Sequence, residues 1–77
     1  MTVINELHEI IHFHRKQARL SRMELADLAG VGKTVIYDLE NGKETVKWST
    51  VLAVLTALNV KVKFESPLID SYEKSAG

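Results

Sequence analysis

Lys33, Thr34, Tyr37 and Asp38 are the side chains whose types and spacing best suit chemistry. At positions i, i+1, i+4 and i+5 they share one face if the stretch is helical. The chemistry they offer is recognition rather than reaction. Lys33 can donate to guanine acceptors, and Thr34 can hydrogen-bond or touch a thymine methyl, in the major groove of a duplex. Tyr37, one turn later, can reach a base or a phosphate. Asp38 can accept from cytosine or, among phosphates, orient a neighbouring Lys or Arg; the orienting role is the expectation. Nothing comparable points to catalysis. No nucleophile–base pair with a third orienting group and no glycine-rich phosphate loop is present, so no enzyme is expected. His8 and His12 stand one turn apart, but zinc takes three or four ligands and the chain has no cysteine. Neither a metal nor a cofactor is expected. His14 falls on an apolar face and reads as a hydrogen-bonded core or boundary histidine.

Holding those four side chains outward requires a helix buried on its other side. Val35, Ile36 and Leu39 supply that stripe within Lys33–Glu40. The preceding stretch predicts a companion helix. Ser21 is an N-cap, and Glu24 three residues later completes a capping box. Leu25, Leu28 and Ala29 form its apolar stripe, and the small Ala26 lets another helix approach. Gly30 stops it, being free to take positive φ. Val31 plugs the turn, Gly32 is a weaker N-cap for the next helix, and Asn41-Gly42 ends that helix with a turn signal. Two short helices joined by a glycine-containing turn make a helix-turn-helix.

The stretch resembles the helix-turn-helix domains of phage-repressor-type regulators, on Ser21-x-x-Glu24-Leu25-Ala26-x-x-Ala29-Gly30-Val31 followed by Ile36-x-x-Leu39-Glu40-Asn41-Gly42. It is more closely similar to small antitoxin-type regulators like HipB, in particular the y4mF-like subgroup. There Asp38-Leu39-Glu40-Asn41-Gly42-Lys43-x-Thr45-Val46 runs into a helix like Trp48–Leu58 and then a strand. The resemblance covers roughly residues 7–65. It implies a lambda-repressor-like fold and a repressor that regulates its own operon, as the antitoxin of a type II toxin–antitoxin pair with a HipA-like serine/threonine kinase toxin. It further implies that Arg22 and Gly32 approach phosphates and that Glu40 pairs with an arginine of the first helix, for which Arg15 is the candidate. Lys43, Thr45 and Lys47 form a loop that can hold phosphates and set register; an ordinary polar connection is the alternative.

The flanking segments complete the expected architecture. Residues 2–19 predict a first helix with Leu7, Ile10, Ile11, His14 and Ala18 on one face. Residues 48–58 predict a fourth, with Trp48, Val51, Leu52, Leu55 and Leu58 as its stripe, Trp48 as core and Asn59 as cap. Val60, Val62 and Phe64 alternate with Lys61, Lys63 and Glu65, which predicts a half-buried strand. A lone strand lacks a ladder, so its expected partner is the same strand of a second copy. The expected fold is therefore mainly α, a helix-turn-helix domain of four helices over residues 1–65. It ends in a dimerisation strand at 60–65 in which Val60, Val62 and Phe64 face the homodimer. Residues 66–77 are expected as a flexible tail or, through Leu68, Ile69 and Tyr72, as a segment that orders on a partner.

Seventy-seven residues make one small domain, marginal on its own core, with no disulfide to help. Ten basic and ten acidic residues cancel, which is unusual for a nucleic-acid binder. The bases nevertheless group as Arg15, Lys16, Arg19 and Arg22, and as Lys33, Lys43 and Lys47. No apolar run suits a membrane span or signal peptide, so the expected compartment is the cytoplasm. The leading expectation is a dimeric, sequence-specific repressor on double-stranded DNA with an inverted-repeat operator. A phage-type repressor without a toxin, and an interaction module that has lost specific DNA binding, are the alternatives.

Overall fold

A computed structural model describes residues 3–76. Five helices follow in order: α1 (Val3–Gln17), α2 (Arg22–Ala29), α3 (Lys33–Glu40), α4 (Trp48–Ala57) and α5 (Ile69–Ala76). Residue 2, expected to open the first helix, lies outside the described residues. α2 packs against both α3 and α4, and α1 against α3. Their meeting point is a core of Ile11, Leu25, Ala26, Ile36, Leu39, Val51, Val54 and Leu55. Ile11, Leu25, Ile36 and Val54 are completely buried. Ala26 serves as expected, its small side chain sealed where three helices converge.

Each of the first four helices ends in the same way. A residue at the cap or just past it takes the left-handed conformation: Arg19 (φ 57°), Gly30 (71°), Gly42 (80°) and Asn59 (60°). The next amide then donates five residues back, Leu20 to Arg15, Val31 to Ala26, Lys43 to Asp38 and Val60 to Leu55, at 2.9–3.1 Å. This is the Schellman arrangement, which satisfies carbonyls that a helix end leaves open. Leu20, Val31 and Val60, following three of these turns, fold onto the core. The capping box of α2 is also formed: Glu24 N–H donates to Ser21 Oγ at 3.0 Å, and Ser21 N–H to Glu24 Oε1 at 2.9 Å.

Three expectations need correction. Residues 60–66 carry no regular secondary structure, and no strand occurs among the described residues. Alternation of Val60, Val62 and Phe64 satisfies the pattern of a strand, but a strand exists only in a ladder, and the single chain supplies no second edge. Val60 instead closes the α4 turn, Val62 is 41% exposed and Phe64 71% exposed. Strand-to-strand dimer pairing accordingly has no basis in the fold. Secondly, the tail contains α5, and its residues 70–75 are all exposed. Thirdly, Leu28, Trp48 and Leu52 lie largely or partly in solvent, at 64%, 55% and 37% exposure. The helical stripes are wider than the contacts that cover them.

Candidate nucleic-acid interface

Burial of Ile36 and Leu39, with Val35 half-covered, turns the opposite side of α3 to solvent. Lys33, Thr34 and Tyr37 are exposed there, and Asp38 is half-buried at the edge. Lys33, Thr34 and Tyr37 border an open groove whose other wall is His12, Arg15, Lys16, Ser21 and Arg22. The groove therefore gathers Lys16, Arg22 and Lys33, with Arg15 beneath, and among the described residues no carboxylate lines it. Net neutrality of the chain conceals this local concentration of positive charge.

Beneath the groove, Glu40 ties three helices together. It is buried at the end of α3 and accepts from Arg15 Nε and, at 3.0 Å, from Arg15 Nη2. His12 Nδ1 lies 2.9 Å from Oε1 and Arg22 Nε 3.4 Å from the same oxygen. Arg15 Nη1 also donates to Leu20 O at 2.9 Å, holding the turn after α1. The expected Arg15–Glu40 pair is thus present, while His12 and Arg22 join it without having been anticipated. Burial opposes the charge on Glu40, but the hydrogen bonds and positive charge of Arg15 and His12 outweigh it, so its carboxyl sits below the usual range. The same hydrogen bond raises Arg15 above its ordinary value, against burial. Two fixed nitrogens facing two oxygens give the pair directionality as well as charge.

The phosphate candidates divide. Arg22, Gly32, Lys43, Thr45 and Lys47 are all exposed. Arg22 opens α2, and its guanidinium lies 5.4 Å from the centre of the Tyr37 ring, a cation–π stack that links the two walls of the groove. Gly32 caps α3 without a side-chain bond; Val35 N–H donates to Gly32 O at 3.0 Å, and no side-chain cap covers the amides of Lys33 and Thr34 before it. Lys43 Nζ stands 3.4 Å from Asp38 Oδ2, the neighbour relation expected of Asp38. Thr45 lies in the loop and Lys47 caps α4; neither is drawn to α3 by a recorded bond. Of the dimer candidates, Val60 is half-buried in the turn while Val62 and Phe64 are exposed beside it. His14 Nδ1 bonds Ile10 O at 2.7 Å, consistent with a boundary histidine. Among the described residues no group of three or more His, Asp or Glu could hold a metal.

The interactions sequence reasoning missed are those of His12 and Arg22 with Glu40, and of Arg22 with Tyr37. Their sequence separations are long (28 residues for His12–Glu40), so no helical period could announce them.

Comparison with known proteins gives a consistent picture. A family model described as a helix-turn-helix domain matches residues 12–63, which include α2, α3 and α4. The uncharacterised HTH-type transcriptional regulator y4mF of Sinorhizobium fredii (strain NBRC 101917 / NGR234) is 37% identical over 62 residues, covering 80% of this chain and 82% of that protein. A solved structure described as MDT Protein superposes with a TM-score of 0.78 at 19% identity, over 87% of this chain and 94% of the other. At that identity the last likeness speaks for the fold.

Proposed function

The chain belongs to the helix-turn-helix family of DNA-binding transcription regulators, and from that premise we propose that it is a sequence-specific repressor acting as a homodimer on an inverted-repeat operator. The observation that carries the reading is the carboxylate-free basic groove beside the exposed face of α3. Lys33 and Thr34 lead α3 into the major groove and read base edges, Tyr37 reads one turn deeper, and Asp38 steers Lys43 rather than a base. Arg22, the open amides behind Gly32, Lys43, Thr45 and Lys47 bind phosphates and fix register. Two copies present their α3 helices to successive major grooves about 34 Å apart, and occupancy of a promoter blocks transcription.

The test is selection from random duplex DNA at moderate salt. An inverted repeat should emerge. Lys33→Ala and Thr34→Ala should each cost about 1–3 kcal/mol of discrimination, with little loss of non-specific binding. Absence of any enriched repeat refutes the reading.

A finer step rests on the segment Asp38–Val46 and its resemblance to HipB-like regulators. The chain is then the antitoxin of a type II toxin–antitoxin operon that represses its own promoter, and its partner is a HipA-like serine/threonine kinase. Co-purification from the native operon tests it. A kinase-like chain should come down with the protein, and its absence leaves a phage-type repressor without a toxin.

A further inference from the structure

Apart from the groove beside α3, the molecule leaves two apolar surfaces uncovered. One is a trough along α4 and the segment after it, lined by Leu52, Leu55, Thr56, Val60 and Val62. It continues past Lys61 to Ile10 of α1 and Trp48. The other is the start of α5 and the turn before it, where Leu68 (73% exposed) precedes the helix and Tyr72 (65% exposed) stands on it, with Ile69 half-buried between them. An apolar helix face and an apolar trough on one short chain call for covering. Their charges are complementary on balance: Lys61 and Lys63 outnumber Glu6 along the trough, whereas on α5 Asp70 and Glu73 outnumber Lys74.

We infer that α5 of one copy docks into the trough of a second copy, and reciprocally. Within one chain the fit is poor. Residues 60–63 form part of the trough itself, and only 64–68 remain to turn back, with Pro67 among them and a turn at Ser66–Ile69 already formed. Exchange between copies needs no reversal. It produces a self-complementary contact in which each helix–trough pairing occurs twice. The inference rests on the homodimer reading above and stands in place of the strand pairing, which the single chain does not support. Leu68, Ile69 and Tyr72 enter the trough against Leu52 and Val62, while Asp70 and Glu73 meet Lys61 and Lys63 at its rim.

The chain has no cysteine, so Ser75→Cys provides a unique site for a nitroxide. Full-length spin-labelled chain with natural isotopes is mixed with unlabelled-cysteine-free, 15N-labelled chain, and solution mass is measured on the same sample. The expected result is a dimer in which Leu52, Lys61 and Val62 amides of the 15N copy broaden. Tyr72→Glu should weaken that dimer about tenfold or more. Lys61→Glu should also weaken it, and Asp70→Lys in the same chain should restore it. A dimer without intermolecular broadening overturns the inference and leaves the homodimer standing, as does broadening seen only when label and isotope share a chain. A single-chain mass at micromolar concentration, unchanged by DNA, overturns both.

Discussion

Around Glu40, side chains from α1 and α2 converge on one buried carboxylate of α3, whereas between Phe64 and Tyr72 three large apolar side chains, Phe64, Leu68 and Tyr72, stand in solvent. The first region is closed by directed polar contacts and holds a recognition surface in shape. The second is an open apolar face of the kind that a further surface must complete. Rigidity thus sits where α3 has to keep its angle to α2, and incompleteness where another chain can supply what is missing.

The largest effect should come from breaking the closed region. Glu40→Ala leaves the Arg15 guanidinium buried without its partner and should cost about 3–5 kcal/mol, enough to lower Tm by more than about 12 °C in a domain of this size. Thermal and chemical denaturation measure it directly; a loss within ordinary surface scatter would mean that the clamp does not hold the helices. Glu40→Gln sharpens the point through pH. A carboxyl held below its ordinary value stabilises the native state above the unfolded pKa of about 4.3. That contribution is lost as pH falls through the lowered native value. The acid limb of the stability profile should therefore be flatter in Glu40→Gln. Some slope remains, because Glu24 is lowered in the same direction by its hydrogen bonds with Ser21.

Next comes the cap of α2. Ser21→Ala removes the oxygen that accepts from Glu24 N–H and should cost about 1 kcal/mol. Its effect belongs to the closed region alone, so the same substitution should leave dimer mass unchanged when assayed below the melting transition.

Local signals explain what the sequence could disclose. Ser21 and Glu24 are three residues apart, and Gly30 lies at the helix end it makes, so the helix-turn-helix is written in neighbours. Lys33, Thr34 and Tyr37 were legible as an outward face because Val35, Ile36 and Leu39 occupied the inward one. Arg22 was legible as a basic side chain near phosphates but not as a partner of Glu40 and Tyr37, since those contacts depend on how α2 crosses α3. The stretch Val60–Phe64 misled for a different reason. Alternation reports two unlike faces, yet pairing depends on a second strand that no single-chain pattern contains. α5 went unanticipated because eight residues give barely two turns, too few for Ile69 and Tyr72 to establish a period. Leu28 and Trp48 fit their stripes and are nevertheless exposed; the stripe fixes direction, and the neighbouring helix decides how far cover extends.

A smaller effect compares the four helix ends. Gly30 and Gly42 adopt left-handed backbone without a side-chain clash, whereas Arg19 holds φ 57° with a full Cβ. Arg19→Gly relieves that strain while adding unfolded-state entropy, and should stabilise by about 0.5 kcal/mol. Asn59→Gly should give less, because Asn tolerates this conformation. Parallel denaturation of the two variants checks the order, and equal gains would show that the residue type at these turns is indifferent.

The smallest effect should come from deleting residues 66–77. Residues 70–75 are exposed throughout, and none of the principal helix contacts involves α5. At a dilution where the chain is single, removal should change unfolding free energy by less than about 0.5 kcal/mol, the range of ordinary surface changes. The core of Ile11, Leu25, Ile36 and Val54 and the Glu40 clamp stay intact in that variant. A loss comparable to Ser21→Ala at such dilution would mean that α5 already leans on its own domain, and the contrast between the two regions would collapse. A loss confined to concentrations where dimers form would instead place the contribution of α5 between chains, because only then does stability depend on protomer concentration.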